Sequence, residues 1–309
     1  MSLARRLLLR ASRSAWLADQ LRHRAFFRRA VRRFLPGEDL GAALDAAAQL
    51  AGADIGTVLT ELGEQVTTRS AAAAVRDHYL DVLQRVRDRG LPAQLSIKLT
   101  HLGLEVDRAA CEQDLLALVL RAAEVGSFVW IDMEESRFVD ATLEVFHRAR
   151  AARDNVGLCL QAYLRRTPAD LERLLPLAPA IRLVKGAYSE PPDAAFPKKR
   201  DVDAAYFGLA ERLLEHAGRG QGLPVFGTHD LSLIARIRER AAGLGVSPGG
   251  FEVHMLYGIR APEQRALAAD GCAVRVLISY GSAWFPWYVR RLAERPANVW
   301  FVVKNLVRS

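Results

Sequence analysis

Over the first ninety residues apolar side chains recur at helical spacing, which predicts helices over 3–34, 40–52, roughly 54–63 and 70–90. In the last of these, Ala73, Val75, Tyr79, Val82, Leu83 and Val86 share a face, and Gly90 closes it. Pro36-Gly37 ends the first, and Asp39 is a candidate cap for the second. Beyond Pro92 the pattern changes. Short apolar runs at 95–98, 128–132, 156–161, 181–186, 224–228, 251–256 and 273–279 each lead into a polar or glycine-containing turn. Helical segments at 108–125, 136–150, 168–177, 202–217, 231–242 and 261–270 separate them. Strands buried on both faces and alternating with helices predict βαβ units and a parallel sheet. One further strand would close an α/β (βα)₈ TIM barrel, whose usual size is about 250 residues. Two segments compete for that place: 299–303 by propensity, and 194–199 within the long connection between residues 187 and 202. An open doubly wound sheet is the rival, but no GxGxxG follows any strand. The predicted organisation is a helical segment, 1–92, packed on a barrel, 93–309, as one unit.

Composition narrows the class. The chain has 309 residues, 50% hydrophobic and 25% charged, which excludes disordered, collagenous and small secreted types. Cys111, Cys159 and Cys272 are too few and too widely spaced for a disulfide framework or a zinc ribbon. No run of 18 apolar residues predicts a membrane span. The net charge of +8 is concentrated at the start: residues 1–34 hold ten arginines against one acid, Asp19, leaving the rest at about −1. A basic, leucine-dotted helix suits a solvated surface, an anionic membrane or a targeting role. Nucleic-acid binding is not expected, because no reading module accompanies the charge.

A barrel presents its chemistry at the C-terminal ends of its strands. Those ends carry Lys98, Asp132, Gln161, the stretch Arg182 to Tyr188, Thr228-His229 and Met255-Leu256-Tyr257. A carboxylate such as Asp132 within reach of Lys98 would hold both ionised and oriented. Gly186-Ala187 places small side chains where a flat or phosphorylated group can approach the backbone, and Tyr188 can cover a ring. His229 has no HxH or HExxH partner, so no metal site is expected. Arg290 and Arg291 lie on an aromatic-rich helix and suit bidentate capture of a carboxylate.

The ordered set SIKLT at 96–100, WIDMEES at 130–136, LCLQAYLRRT at 158–167, RLVKGAYSEPPD at 182–193, FPKKRDVDA at 196–204, GTHD at 227–230, FEVHMLYGI at 251–259 and YVRRLAERP at 288–296 resembles the monofunctional bacterial proline dehydrogenases. The resemblance runs from about residue 40 to 300. It implies a distorted barrel that binds FAD non-covalently, oxidises L-proline to Δ1-pyrroline-5-carboxylate by hydride transfer from C5 to flavin N5, and passes the electrons to a membrane quinone. It implies a cytoplasmic enzyme, peripheral at the inner face of the membrane. It also makes 194–199 the fifth strand and 273–279 the eighth.

Carried over to this chain, Arg290 and Arg291 look like the carboxylate clamp and Lys98 a third cation at the substrate. Asp132 would orient Lys98 and the flavin edge, acting catalytically with Arg182. Met133, Gln161, Arg182, Lys185, Gly186, Ala187 and Tyr188 would contact the flavin, and Lys199, Thr228 and His229 its ribityl–phosphate side. Tyr188 and Leu256 would wall the ring pocket, and Glu64 would close the site against a clamp arginine. Two positions depart from the family. Leu277 stands where a tyrosine is usual, making the pocket roomier and more apolar; His254 replaces a glutamine. The alternatives are the same chemistry on hydroxyproline, a substituted proline or another cyclic secondary amino acid, and an inactive barrel with a binding role.

Overall fold

A computed structural model describes residues 34–284. Helix α1 (Leu40–Ala51) leads in, its N-terminus capped by Asp39, whose carboxylate accepts from the Ala42 N–H at 2.9 Å. There follow β1 (Gly56–Glu61), α2 (Arg69–Asp88), β2 (Ala93–Ile97), α3 (Arg108–Glu124), β3 (Val129–Ile131), α4 (Val139–Ala152), β4 (Val156–Gln161) and α5 (Thr167–Leu174). The second half runs β5 (Ala180–Val184), α6 (Lys199–Ala217), β6 (Leu223–Gly227), α7 (Leu231–Gly243), β7 (Glu252–Leu256), α8 (Ala261–Ala269) and β8 (Ala273–Tyr280). The strands close in chain order into a parallel barrel, β8 pairing with β1 from Gly56↔Arg275 to Glu61↔Tyr280.

Two expectations are corrected here. The segment 54–63, read as a helix, is the missing eighth strand, and it comes first in the chain. Thr57, Val58, Leu59 and Thr60 are all buried because β1 is sandwiched between the barrel interior and the surrounding helices. The segment 194–199 is no strand: its one ladder contact is an isolated bridge between Leu164 and Ala195, and the fifth strand is Ala180–Val184. Pro197 has no donor to give a ladder, and the Ala194 and Ala195 N–H groups both turn back to the Pro191 carbonyl. The barrel therefore begins at Gly56, and the expected boundary at 92/93 falls within it, between α2 and β2. The predicted helix over 3–34 and the candidate strand 299–303 lie outside the described residues, but for Phe34.

Strand side chains alternate between two cores. Val58, Trp130, Ala180 and Val225, from four different strands, fill the barrel with Phe128, Leu223 and Leu277 against them. A larger layer, including Val82, Leu115, Phe146, Tyr206 and Ile234, joins the strands' outer faces to the helices. At about 1.5–3 kcal/mol per fully buried large apolar side chain, this layer sets the barrel's rigidity. Parallel closure brings every C-terminal strand end to one mouth.

Candidate active site

Arg182 faces into the barrel from β5 and is only 3% exposed. Its Nη2 donates to Ser96 Oγ at 2.7 Å and ion-pairs with Asp132 Oδ1, while Ser96 Oγ donates to the same Asp132 oxygen at 2.8 Å. Asp132 stands immediately after β3, its backbone N–H donating to the Ile97 carbonyl at 2.8 Å. The expected pairing of Asp132 with Lys98 is not formed: adjacent strand ends do not bring these two groups together, because Arg182 reaches across the barrel to take the carboxylate. Lys98 Nζ instead lies 3.9 Å from Glu64 Oε2, which reaches it from the loop after β1.

Gln161 ends β4 and donates Nε2–H to the Met133 carbonyl at 3.1 Å. Its Oε1 and the Nη1 of Arg182 are buried and make no hydrogen bond among the described residues. In the connection after β5, Gly186 adopts φ +109°, and a Cβ there would come within 2.1 Å of the Tyr163 ring. Only glycine lets the chain turn over that ring. Ala187 and Tyr188 follow in the same connection, both half-buried.

A charged cluster lies toward α6 and α7. Lys185 Nζ bridges Asp203 at 2.5 Å and Asp230 at 3.1 Å, and Lys199 pairs with Asp203. Burial pushes the Asp230 carboxyl up, but the Ser232 hydroxyl, Lys185 and the Leu233 N–H outweigh it and hold the group at about 2. Thr228 Oγ accepts from the Asp230 N–H at 3.2 Å. His229 Nε2 accepts from the Leu256 N–H at 2.9 Å, placing that ring's proton on Nδ1 and fixing the β6 loop to the end of β7. Leu256 and Leu277 are register partners on β7 and β8, and both are half-buried. Lys98, Asp132, Met133, Gln161, Lys185, Thr228, His229 and Leu256 thus stand at or just beyond strand ends, Arg182 and Leu277 within β5 and β8, Glu64 and Gly186 to Tyr188 in the connections after β1 and β5, and Lys199 at the start of α6; Arg290 and Arg291 lie outside the described residues.

Sequence reasoning missed Ser96, Asp203 and Asp230. Two of these had a signal: Asp203 falls four residues after Lys199, and Asp230 ends the GTHD motif. Among the described residues no cluster of histidines, cysteines and carboxylates could hold a metal. The three cysteines are free and buried.

Two buried imidazoles make stability depend on pH. Burial lowers His101 from 6.5 to about 4, helped by Lys98 nearby. Burial likewise lowers His254 to about 4, against the opposing hydrogen bond to Glu252. A folded pKa below the unfolded one means that unfolding takes up protons, so stability is present above 6.5 and drains away as pH falls toward 4. Each imidazole is expected to remove about 2 kcal/mol between pH 7 and pH 5. Urea unfolding at the two pH values measures this, and His101→Gln should abolish about half of the difference. An equal midpoint at both values would contradict it.

The family model described as proline dehydrogenase matches residues 43–304. Proline dehydrogenase of Deinococcus radiodurans is 35% identical over 282 residues, 90% of either chain. Proline dehydrogenase 1 of Bacillus subtilis is 32% identical over 279 residues, 90% of this chain and 91% of that one. Among solved structures, proline utilization A (PutA) of Bdellovibrio bacteriovorus, inactivated by N-propargylglycine, superposes with TM-score 0.80 at 23% identity. That match covers 86% of this chain and 32% of the PutA chain, and it speaks for the fold alone. With full-length relatives at this identity and a family model spanning the barrel, the chain belongs to the proline dehydrogenase family of oxidoreductases.

Proposed function

We propose that the protein oxidises L-proline to Δ1-pyrroline-5-carboxylate with non-covalently bound FAD and delivers the electrons to a membrane quinone. The observation that carries the cofactor is a pair of buried polar atoms with no partner among the described residues, Gln161 Oε1 and Arg182 Nη1, at the mouth of a barrel of this family. An acceptor and a donor buried without partners cost stability unless a ligand supplies their complement. The glycine-only turn at Gly186 and the cations Lys185 and Lys199 suit a flat ring and a phosphate chain. When bound there, FAD would take up the hydride that proline C5 gives up.

The chain's own task is positioning. Lys98, 15% exposed at its side chain, supplies a cation for the substrate carboxylate, and Glu64 holds that ammonium from above. By the family resemblance, Arg290 and Arg291 complete the clamp. Met133, Gln161, Lys185 and the segment Gly186 to Tyr188 line the cofactor side. Thr228 and His229 are held for the ribityl–phosphate chain by the Asp230 N–H and the Leu256 N–H. Asp132 and Ser96 fix the Arg182 guanidinium. Tyr188 and Leu256 wall the ring and exclude water.

One observation favours a second substrate reading. Leu277 presents a half-buried aliphatic wall continuous with Val58, Trp130 and Val225, which would admit a substituted or larger cyclic secondary amino acid. Reconstitution with FAD followed by turnover on proline, hydroxyproline and pipecolate tests both readings. A flavin absorption band with turnover of one such amino acid is expected; no band after reconstitution would overturn the cofactor assignment.

The quinone side is proposed to lie with the basic segment 1–34, outside the described residues but for Phe34. Among the described residues no helix is long and apolar enough to cross a membrane. Each arginine near an anionic surface contributes up to about 1 kcal/mol, enough together for reversible docking. Co-sedimentation with anionic vesicles at low salt, lost at high salt, is expected. Failure to sediment at low salt would remove this part of the proposal.

A further inference from the structure

Trp130 is the largest fully buried side chain of the described residues, and it lies directly beneath the Arg182–Asp132 pair. The Arg182 guanidinium carbon sits 5.1 Å from the centroid of its ring, within the range of attraction between a cation and an aromatic face. The indole itself is fixed on several sides. Its Nε1–H donates to Gln94 Oε1 at 2.7 Å. The His254 ring meets it edge-on at 5.6 Å and 81°, and His254 is anchored in turn through Nε2 to Glu252 at 2.8 Å, with Arg275 on the same carboxylate. Phe128 packs against it at 5.0 Å. Opposite it on β4 is Gly157, its register partner, where a Cβ would stand 2.5 Å from the indole.

A residue that only filled the barrel would need none of these directional contacts. Here a hydrogen bond, a missing Cβ and an anchored imidazole all determine the tilt of one ring, and that ring's face carries the guanidinium. We propose that Trp130 is a positioning residue for Arg182: it supports the guanidinium from below so that Nη2 meets Asp132 and Ser96 while Nη1 stays directed to the cofactor side. The inference rests on the reading of Arg182 given above.

The test uses the full-length, FAD-loaded protein. The quantities read are kcat and KM for L-proline, the flavin's visible spectrum, and the FAD dissociation constant obtained by dilution. Trp130→Leu removes the aromatic face. It should lower kcat about tenfold, leave KM within about twofold, shift the flavin bands and raise the FAD dissociation constant about tenfold. Trp130→Phe keeps a face and should recover most of each change. Trp130→Leu combined with Arg182→Lys should be no worse than Arg182→Lys alone, because both act through one group. Full additivity, or loss in Trp130→Leu with no recovery in Trp130→Phe, would overturn the proposal. Should Trp130→Leu fail to fold, Gln94→Met decides. It leaves the indole N–H buried without an acceptor, so the ring must tilt where a phenyl, which has no N–H, need not, and an unchanged spectrum with unchanged kcat would equally overturn the proposal. Wild-type kcat and FAD affinity in Arg182→Lys would instead show that the reading of Arg182 itself is wrong.

Discussion

Asp132→Asn is expected to lower kcat about 100-fold and to reduce folding stability by about 3 kcal/mol. The asparagine occupies the same volume and can still accept from Ser96, so neither a cavity nor a lost contact would explain such losses. What disappears is the negative charge beside Arg182, which is almost fully buried. A guanidinium stays protonated whatever its surroundings, so it would be left as an uncompensated charge in a low-dielectric interior. It would relax toward water, away from the cofactor side, and a displacement of about 1 Å there is enough to slow a positioned reaction by about two orders of magnitude. Rapid-mixing kinetics and urea unfolding check the two halves separately. A variant within twofold of wild type in kcat, with an unchanged urea midpoint, would mean that the pair is ornamental to both folding and catalysis.

Lys98→Met is expected to raise KM for L-proline by about 30-fold or more while FAD stays bound. Methionine preserves the apolar stem packed at the end of β2 and deletes only the ammonium. The substrate's carboxylate would then enter the mouth with one cation fewer, and losing a buried charge-assisted contact costs about 2–5 kcal/mol. The flavin band should persist, because Gln161, Lys185 and the turn at Gly186 lie on other strand ends. A KM within threefold of wild type would move the carboxylate site away from Lys98.

How far these residues could be read from sequence depended on the kind of signal each left. Arg182 was legible because a charge inside an apolar, strand-like run has no cheap structural explanation. Gly186 was legible as a backbone position, and the structure supplies the cause, the Tyr163 ring beneath it. The first strand was not legible. In Asp54-Ile-Gly-Thr-Val-Leu-Thr-Glu-Leu the apolar positions 55, 58, 59 and 62 fit helical spacing as well as a strand buried on both faces. Only closure of the barrel, with β8 pairing along all six positions of β1, decides between them.

Partnership across the barrel was illegible for a different reason. Lys98 and Asp132 end neighbouring strands, so pairing them was the local choice. Arg182 takes the carboxylate instead, and the sequence holds no measure of how far a guanidinium reaches across a barrel. Asp203 and Asp230 were overlooked because an acid in a helix's first turns or at its cap already has a sufficient local role. Trp130 was passed over because an aromatic in a buried strand is ordinarily core. Its directional contacts, to Gln94, Gly157 and His254, come from three other strands and exist only in the closed fold.

In the proposed reaction this barrel mouth holds a flavin and a cyclic amino acid together for hydride transfer. Mixing L-proline anaerobically with the FAD-loaded protein, while following the flavin's visible band, tests it in one step with no electron acceptor present. Stoichiometric bleaching of the band with appearance of the cyclic imine is expected. A band that persists with L-proline, hydroxyproline and pipecolate alike would contradict it.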